Sequence, residues 1–296
     1  MIEIKNVSKS YGNLNALNNV NLKVSEGSIV GLVGINGAGK STLLRLIAGI
    51  LKPDNGEIII DEEPAYENEK AKRKIFLLPD EPYYGMNATP LSLIDFYKVF
   101  YDFDQTLFLE YLEHYDIPMK KPIMGYSKGM KRQVFIALAL AIQPKYLLLD
   151  EAFDGLDPLS RLFFKKEIMK IVEEKNTTIL VSSHSLKELE EFCDSYAILD
   201  DKHIVSEGSI VDDVTKYHKY QIAFLNEISI QDIPFEMVSY TQTKRVIKLI
   251  TSSDLATVTE KLKPLNPVII DEISIDFEEL FIIEVEKRGF LKWESF

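Results

Sequence analysis

The sequence predicts an α/β fold in which helices cover a parallel sheet, with a helical insertion and a small α+β appendage. Three observations carry this. Short apolar runs at 28–33, 75–78, 146–149 and 178–182 read as strands buried on both faces. A helical stretch at 158–174 separates the last two, making a βαβ unit and hence a parallel pair. Across 85–140 strand-like runs give way to helical periodicity rich in aromatic residues.

Taken in order, residues 2–7 alternate apolar and polar as a half-buried strand does, and Tyr11-Gly12 reads as a turn. Residues 20–24 alternate again, 28–33 is a buried strand, and 43–50 is helical, closing near Gly49. Pro53-Asp54-Asn55-Gly56 is a turn ahead of a strand at 57–60. The charged stretch 67–74 is an exposed helix or loop, and Pro79 stops the strand before it. Segments 196–199 and 202–207 form a hairpin about Asp200-Asp201. From residue 220 the texture changes, with strands expected at 221–225, 235–240 and 245–250 and helices at 254–262 and 277–287. The expected division is a main domain at 1–215 and an accessory domain at 220–296.

Composition narrows the function. With 46% hydrophobic residues in 296, the chain can bury a sizeable core. A net charge of -12 disfavours binding to nucleic acid or anionic lipid, which need a basic face. Cys193 is the single cysteine, which rules out an intramolecular disulfide; it reads as a small buried apolar residue and suits a reducing cytoplasm. Met1-Ile2-Glu3-Ile4-Lys5 does not resemble a signal peptide. The longest apolar run, 134–142, falls far short of the roughly 20 residues a spanning helix needs, so any pore is expected from another chain.

The chemistry begins at Gly34-Ile35-Asn36-Gly37-Ala38-Gly39-Lys40-Ser41, which has the phosphate-loop pattern between an apolar strand and a helix. Side chains must be absent where backbone N–H groups converge on phosphate oxygens, and the following helix aims its positive end at the same place. Lys40 is expected to bridge the β- and γ-phosphates, Ser41 to ligate magnesium and Thr42 to reach the α-phosphate. The run 146–149 ends in Asp150-Glu151, at the carboxyl edge of the sheet where ligands sit in open α/β folds. Asp150 is placed to hold magnesium and Glu151 to polarise an attacking water.

Tyr126-Ser127-Lys128-Gly129-Met130 resembles the signature motif of the ABC ATPase family, usually Leu-Ser-Gly-Gly-Gln. The resemblance implies that Ser127 and Gly129 face the γ-phosphate of ATP held by an opposite subunit. Gly155-Leu156-Asp157 resembles the family's D-loop at the dimer seam, His184 its switch histidine and Tyr11 its adenine-stacking aromatic. Where the family usually has glutamine after the strand 75–78, this sequence has Asp80; by resemblance that position reaches magnesium and links the core to the helical insertion. The likeness spans residues 1–215 and implies a P-loop NTPase of ABC ATPase type with an antiparallel β subdomain.

The single cassette, the Tyr-Ser-Lys-Gly-Met variant and the acidic–aromatic segment 271–281 look most like ATP-binding subunits of ABC-2-type bacterial exporters. That implies ATP and Mg2+ as cofactors, a transmembrane permease as partner, and pairing as a homodimer or with another ATP-binding subunit, at the cytoplasmic face of the membrane. It also implies export, with a peptide or antimicrobial as cargo. The alternatives are an importer subunit, a regulatory subunit with a silent site, and a non-transport ABC ATPase acting on nucleic acid or ribosomes. The last normally needs a coiled-coil insertion or a second cassette, and neither is present in this sequence. Tyr83, Tyr84, Phe96, Tyr97, Phe100, Tyr101 and Phe103 are either core of the helical insertion or the lining of a groove for a permease helix.

Overall fold

The computed structural model describes residues 1–287; the remainder of the expected accessory domain, 288–296, lies outside the described residues. The chain divides into two compact units, Met1–Glu207 and Gly208–Phe296. The first unit contains β1 (Ile2–Tyr11), β2 (Leu14–Val24), β3 (Ile29–Val33), α1 (Lys40–Ile47), β4 (Asn55–Ile60), β5 (Glu63–Pro64), α2 (Glu69–Lys72) and β6 (Ile75–Leu78). It continues with α3 (Pro90–Tyr97), α4 (Gln105–His114), α5 (Lys128–Ile142), β7 (Tyr146–Asp150), α6 (Pro158–Lys175), β8 (Thr178–Ser182), α7 (Leu186–Glu190), β9 (Ser195–Asp200) and β10 (His203–Ser209).

Two sheets build this unit. One is antiparallel, in the order β2-β1-β4-β5, with Ile2 opposite both Val24 and Ile60, so alternate apolar residues line one buried face. The other has the order β10-β9-β3-β8-β7-β6, and its β9, β3, β8, β7 and β6 run parallel. Every residue of β3, β7 and β8 is buried, which is why these segments read as continuous apolar runs rather than alternating ones. The longest apolar run, 134–142, is the wholly buried C-terminal part of α5; among the described residues no helix is long and apolar enough to cross a membrane.

The expected helical insertion, 85–140, contains α3, α4 and all of α5 except its last two residues, joined by irregular chain. Its aromatics divide by role. Tyr97 and Tyr101 pack edge-on against Phe76, as Phe103 does against Phe108, and Tyr84 lies at a tilt against Phe135, while Tyr83, Phe96 and Phe100 stay exposed. Burial pushes the Tyr101 phenol up to about 12, and its hydroxyl donates to Ile75 O at 3.0 Å.

The second unit carries α8 (Ile210–Val214), β11 (His218–Phe224), β12 (Ser239–Thr243), β13 (Val246–Thr251), α9 (Leu255–Leu262), β14 (Pro267–Ile273) and α10 (Phe277–Lys287). Its antiparallel sheet has the order β12-β13-β11-β14 around a core that includes Tyr220, Ile222, Phe224, Leu249 and Leu262. The strand expected at 235–240 begins only at Ser239. Phe235 and Met237 instead pack on that core from irregular chain after Pro234, so their apolar character reflects packing rather than a ladder. The sequence reading missed β14, whose carboxylates interrupt the apolar pattern, and the short α8, and it began β2 six residues too late.

A polar knot anchors the amino-terminal end of β7. Asp61 accepts from Lys74 at 2.8 Å, Lys145 at 2.9 Å, the Tyr146 hydroxyl at 2.5 Å and the Met1 amino group at 2.7 Å. Burial works against its charge, but these hydrogen bonds outweigh it and hold the carboxyl far below the usual carboxylate range. A depressed acid stabilises the fold above its unfolded value, about 4, and that contribution drains away as pH falls below it. Replacing Asp61→Asn should therefore cost about 1–3 kcal/mol at neutral pH in denaturant melts, with the gap to wild type closing at more acid pH. A pH-independent difference would contradict this account.

Candidate nucleotide site

The site forms because parallel strands end at one edge. Leu32 of β3 and Asp150 of β7 both stand opposite Ser182 of β8, so the segments after these strands converge. After β3 the loop from Gly34 turns into α1 with Gly39 as its N-terminal cap, at φ 113°. A Cβ at Gly39 would lie 2.5 Å from Ala16 O, and one at Gly34 would lie 2.3 Å from Leu199 O. Only glycine permits these backbone approaches, so the loop is clamped between β2 and β9.

Lys40 is buried to 7% exposure, and its ammonium donates to Gly34 O at 2.6 Å, folding over the loop. Burial pushes it below the ordinary lysine value, while the Glu151 and Asp150 carboxylates pull it back up. Ser41 Oγ donates to Asp150 Oδ1 at 3.1 Å and Ser182 Oγ donates to the same oxygen at 2.7 Å. This cluster of hard oxygen donors at the start of a helix fits a small divalent cation.

Glu151 has a left-handed backbone, φ 49°, a strained choice for a non-glycine residue. Its N–H is held near Ser182 O and Ser182 Oγ, each at 3.2 Å. The turn throws the carboxylate back into the site, with Oε2 at 3.0 Å from His184 Nδ1 and Oε1 at 3.9 Å from Lys40 Nζ. Glu151, Asp154 and His184 bring their ligand-type atoms within 4.8 Å of one another.

A cleft of about 470 Å³ runs along these groups. It is lined by Tyr11, Asn36, Gly37, Ala38, Gly39, Lys40, Ser41, Thr42 and Glu151, joined by Leu14, Asn15, Ala16 and Lys202. The structure thus brings Asn36 to Thr42 of the phosphate loop together at one cleft with Tyr11, while Gly34 packs behind it against Leu199 O. Ser182, Asp154 and Lys202 were missed. A serine ending a strand or an aspartate in a loop has no local signature, and only the sheet register makes them neighbours.

The other predicted residues lie elsewhere. Ser127 caps α5, its Oγ accepting from Met130 N at 3.2 Å, and Asp157 caps α6, accepting from Leu159 N and Ser160 N at 3.0 Å. The Lys128 side chain lies against Gly155, and a Cβ at Gly129 would approach Gly155 O to 3.3 Å, so the segments about Ser127 and Asp157 abut each other. Ser127, Gly129 and Asp157 do not line the cleft of their own chain.

Asp80 departs from the expected metal grouping. Its carboxylate accepts from Arg132 at 2.9 Å and lines a separate hollow with Glu81, Tyr84, Lys128, Lys131 and Phe135. Arg132, only 3% exposed, also donates to Pro79 O at 3.1 Å and Asp154 O at 3.3 Å. A buried guanidinium requires a counter-charge, and Asp80 supplies it. The link to the helical insertion expected at this position is therefore an ion pair.

Known proteins agree with this architecture. A family model described as ABC transporter matches residues 17–154, and one described as AAA domain, putative AbiEii toxin, Type IV TA system matches 120–190. The chain is 33% identical over 294 residues to the ABC transporter ATP-binding protein YtrB of Bacillus subtilis, spanning 95% of this chain and 97% of that one. It is 34% identical over 253 residues to the methionine import ATP-binding protein MetN 1 of Paraburkholderia xenovorans, covering 79% and 73% of the two chains. It is 31% identical over 244 residues to the bacitracin transport ATP-binding protein BcrA of Bacillus licheniformis, covering 77% and 76%. Among solved structures, a dimeric post-hydrolysis state of the ATP-binding cassette MJ0796 bound to ADP and Pi matches 71% of this chain and 99% of its own, with 27% identity and a TM-score of 0.64. On the strength of its phosphate loop, its strand-end carboxylates and this near full-length likeness, the chain belongs to the ATP-binding subunits of ABC transporters.

Proposed function

We propose that this subunit drives export through a separate transmembrane permease at the cytoplasmic face of the membrane, by closing as a dimer around ATP. One observation carries the dimer: the cleft holding Lys40 and Glu151 and the capped helix start at Ser127 are distinct places on one chain. A second copy, or another ATP-binding subunit, brings its Ser127, Gly129 and Asp157 to the open side of the cleft. The ADP- and Pi-bound dimer of a related cassette supports this arrangement.

In this reading Tyr11 stacks on adenine, and the backbone of Asn36, Gly37, Ala38 and Gly39 receives the phosphates with Lys40 and Thr42. Mg2+ would be held by Ser41 and Asp150, and when bound it offsets phosphate charge. Glu151, oriented by its strained turn and by His184, takes the proton of the attacking water, and His184 touches the terminal phosphate. Closure then depends on ATP binding the closed pair better than the open one. The permease docks beside α3, where Tyr83, Phe96 and Phe100 are exposed along hollows of about 660 and 500 Å³.

Export of a peptide or antimicrobial is supported by the likeness to a bacitracin transport protein. Import is the second reading, favoured by the likeness to a methionine import protein. Vesicles carrying the subunit and its permease separate the two: ATP added on the subunit's side should move cargo away from that side, and uptake toward it would establish import.

Three variants test the assignment. Glu151→Gln should keep ATP binding, cut phosphate release by about 10²-fold or more and trap a dimer in size-exclusion chromatography; unimpaired turnover would remove Glu151 from the base role. Lys40→Ala should weaken ATP binding about 10- to 100-fold in a fluorescence titration, as the loss of a charge-assisted contact does. Tyr83→Ser with Phe96→Ser should retain ATP binding but no longer co-purify with the permease; intact co-purification would move the docking surface elsewhere.

A further inference from the structure

The turn joining β9 and β10 brings Lys202 to the nucleotide cleft, though it belongs to none of the motifs that define the site. Parallel register places Val33, the last residue of β3, beside Ile198 of β9, so the chain leaving β9 emerges next to the phosphate loop. The closeness of Leu199 O to the Gly34 Cβ position confirms the contact. The turn is pinned from its other side as well, because Asn18 N donates to Lys202 O at 2.8 Å. Asn18 lies on the same strand, β2, that supplies Leu14, Asn15 and Ala16 to the cleft wall.

Two features make a purely structural role inadequate. Asp201 and Lys202 have φ values of 40° and 70°, the geometry of a two-residue hairpin turn whose second position favours glycine. A lysine there raises the conformational energy of the turn and adds nothing to its hydrogen bonding. The side chain is also half-buried, and among the described residues no carboxylate pairs with it. A partly desolvated, unpaired ammonium on the wall of a cleft is poised for a mobile anion.

The charge balance of the cleft gives that anion a reason to need it. Lys40 shares the floor with the Asp150 and Glu151 carboxylates, and the whole chain carries -12. A triphosphate entering there meets an acidic field that one ammonium, already drawn to two carboxylates, does not neutralise. We infer that Lys202 is a second cation for the nucleotide, meeting its phosphate charge from the β9–β10 turn. The inference rests on the ATP-binding reading of the cleft.

Lys202→Gly, Lys202→Met and Lys202→Arg in the full-length chain test it, by fluorescence titration with ATP alongside thermal melting. Gly and Met should weaken ATP binding about three- to tenfold at low salt, the range of a partly exposed charge contact, with the loss shrinking at roughly 0.5 M salt. Arg should bind as wild type does. Gly should melt at or above the wild-type temperature, since it relieves the left-handed position, so affinity and stability move in opposite directions. Wild-type affinity in both Gly and Met, or a loss in Gly that Met does not share, overturns the inference. Lys40→Ala in the same titration keeps the two claims apart. If it binds ATP normally, the cleft itself is misassigned; if it loses binding while Lys202 variants do not, only the role of Lys202 fails.

Discussion

The register of three parallel strands is the constraint on which the site depends. Ser182 of β8 stands between Leu32 of β3 and Asp150 of β7, and its hydroxyl both donates to Asp150 and lies within reach of the Glu151 N–H. That one serine ties the Asp150 carboxylate to the turn that aims the next one. Because side chains alternate across a strand, a slip of one residue would turn Asp150 to the opposite face and dissolve the group. Complete burial of β3, β7 and β8 under helices makes such a slip costly.

On this frame the charged groups are arranged with opposed demands. Lys40 is desolvated but flanked by acids, and Glu151 accepts backbone strain to stand between Lys40 and His184. Such strain persists only where the surroundings over-determine it, and here the hydrogen-bonding to Ser182 does so. The geometry is supported from beneath rather than left to loops, which is what a site acting on phosphate requires.

Arg132 extends the arrangement beyond the cleft. Its guanidinium joins Pro79 and Asp80, after β6, to Asp154, after β7, from within the helix whose first turn is capped by Ser127. The strand ends, the loop bearing Glu151 and the signature helix are thus in direct polar contact through one buried side chain. Displacing α5 would disturb all of them together, because removing a partner from a buried cation is costly.

How much of this was legible follows from distance along the chain. The phosphate loop and the Asp150-Glu151 pair are local patterns, in which spacing dictates the chemistry, whereas Ser127 and Asp157 stood out only by resemblance to family motifs. The buried strands were equally clear, since a sheet covered on both faces leaves no polar alternation. Asp80 was grouped with the metal ligands by its place in the motif, and its pairing with Arg132, 52 residues away, was not readable from either residue. Phe235 and Met237 looked like strand because apolar runs do not distinguish a ladder from a loop packed on a core.

The sequence by itself determined the parts: a glycine-rich loop, two strand-end acids, and, by resemblance, a signature serine, a D-loop aspartate and a histidine after a buried strand. Only the tertiary structure decided which parts share a cleft, that Ser127 and Asp157 do not line it, that Lys202 does, and that Ser182 and Asp154 stand beside its carboxylates. The reason is physical. Backbone spacing and helix capping act over a few residues, whereas strand order and register bring together groups that the chain separates by more than a hundred.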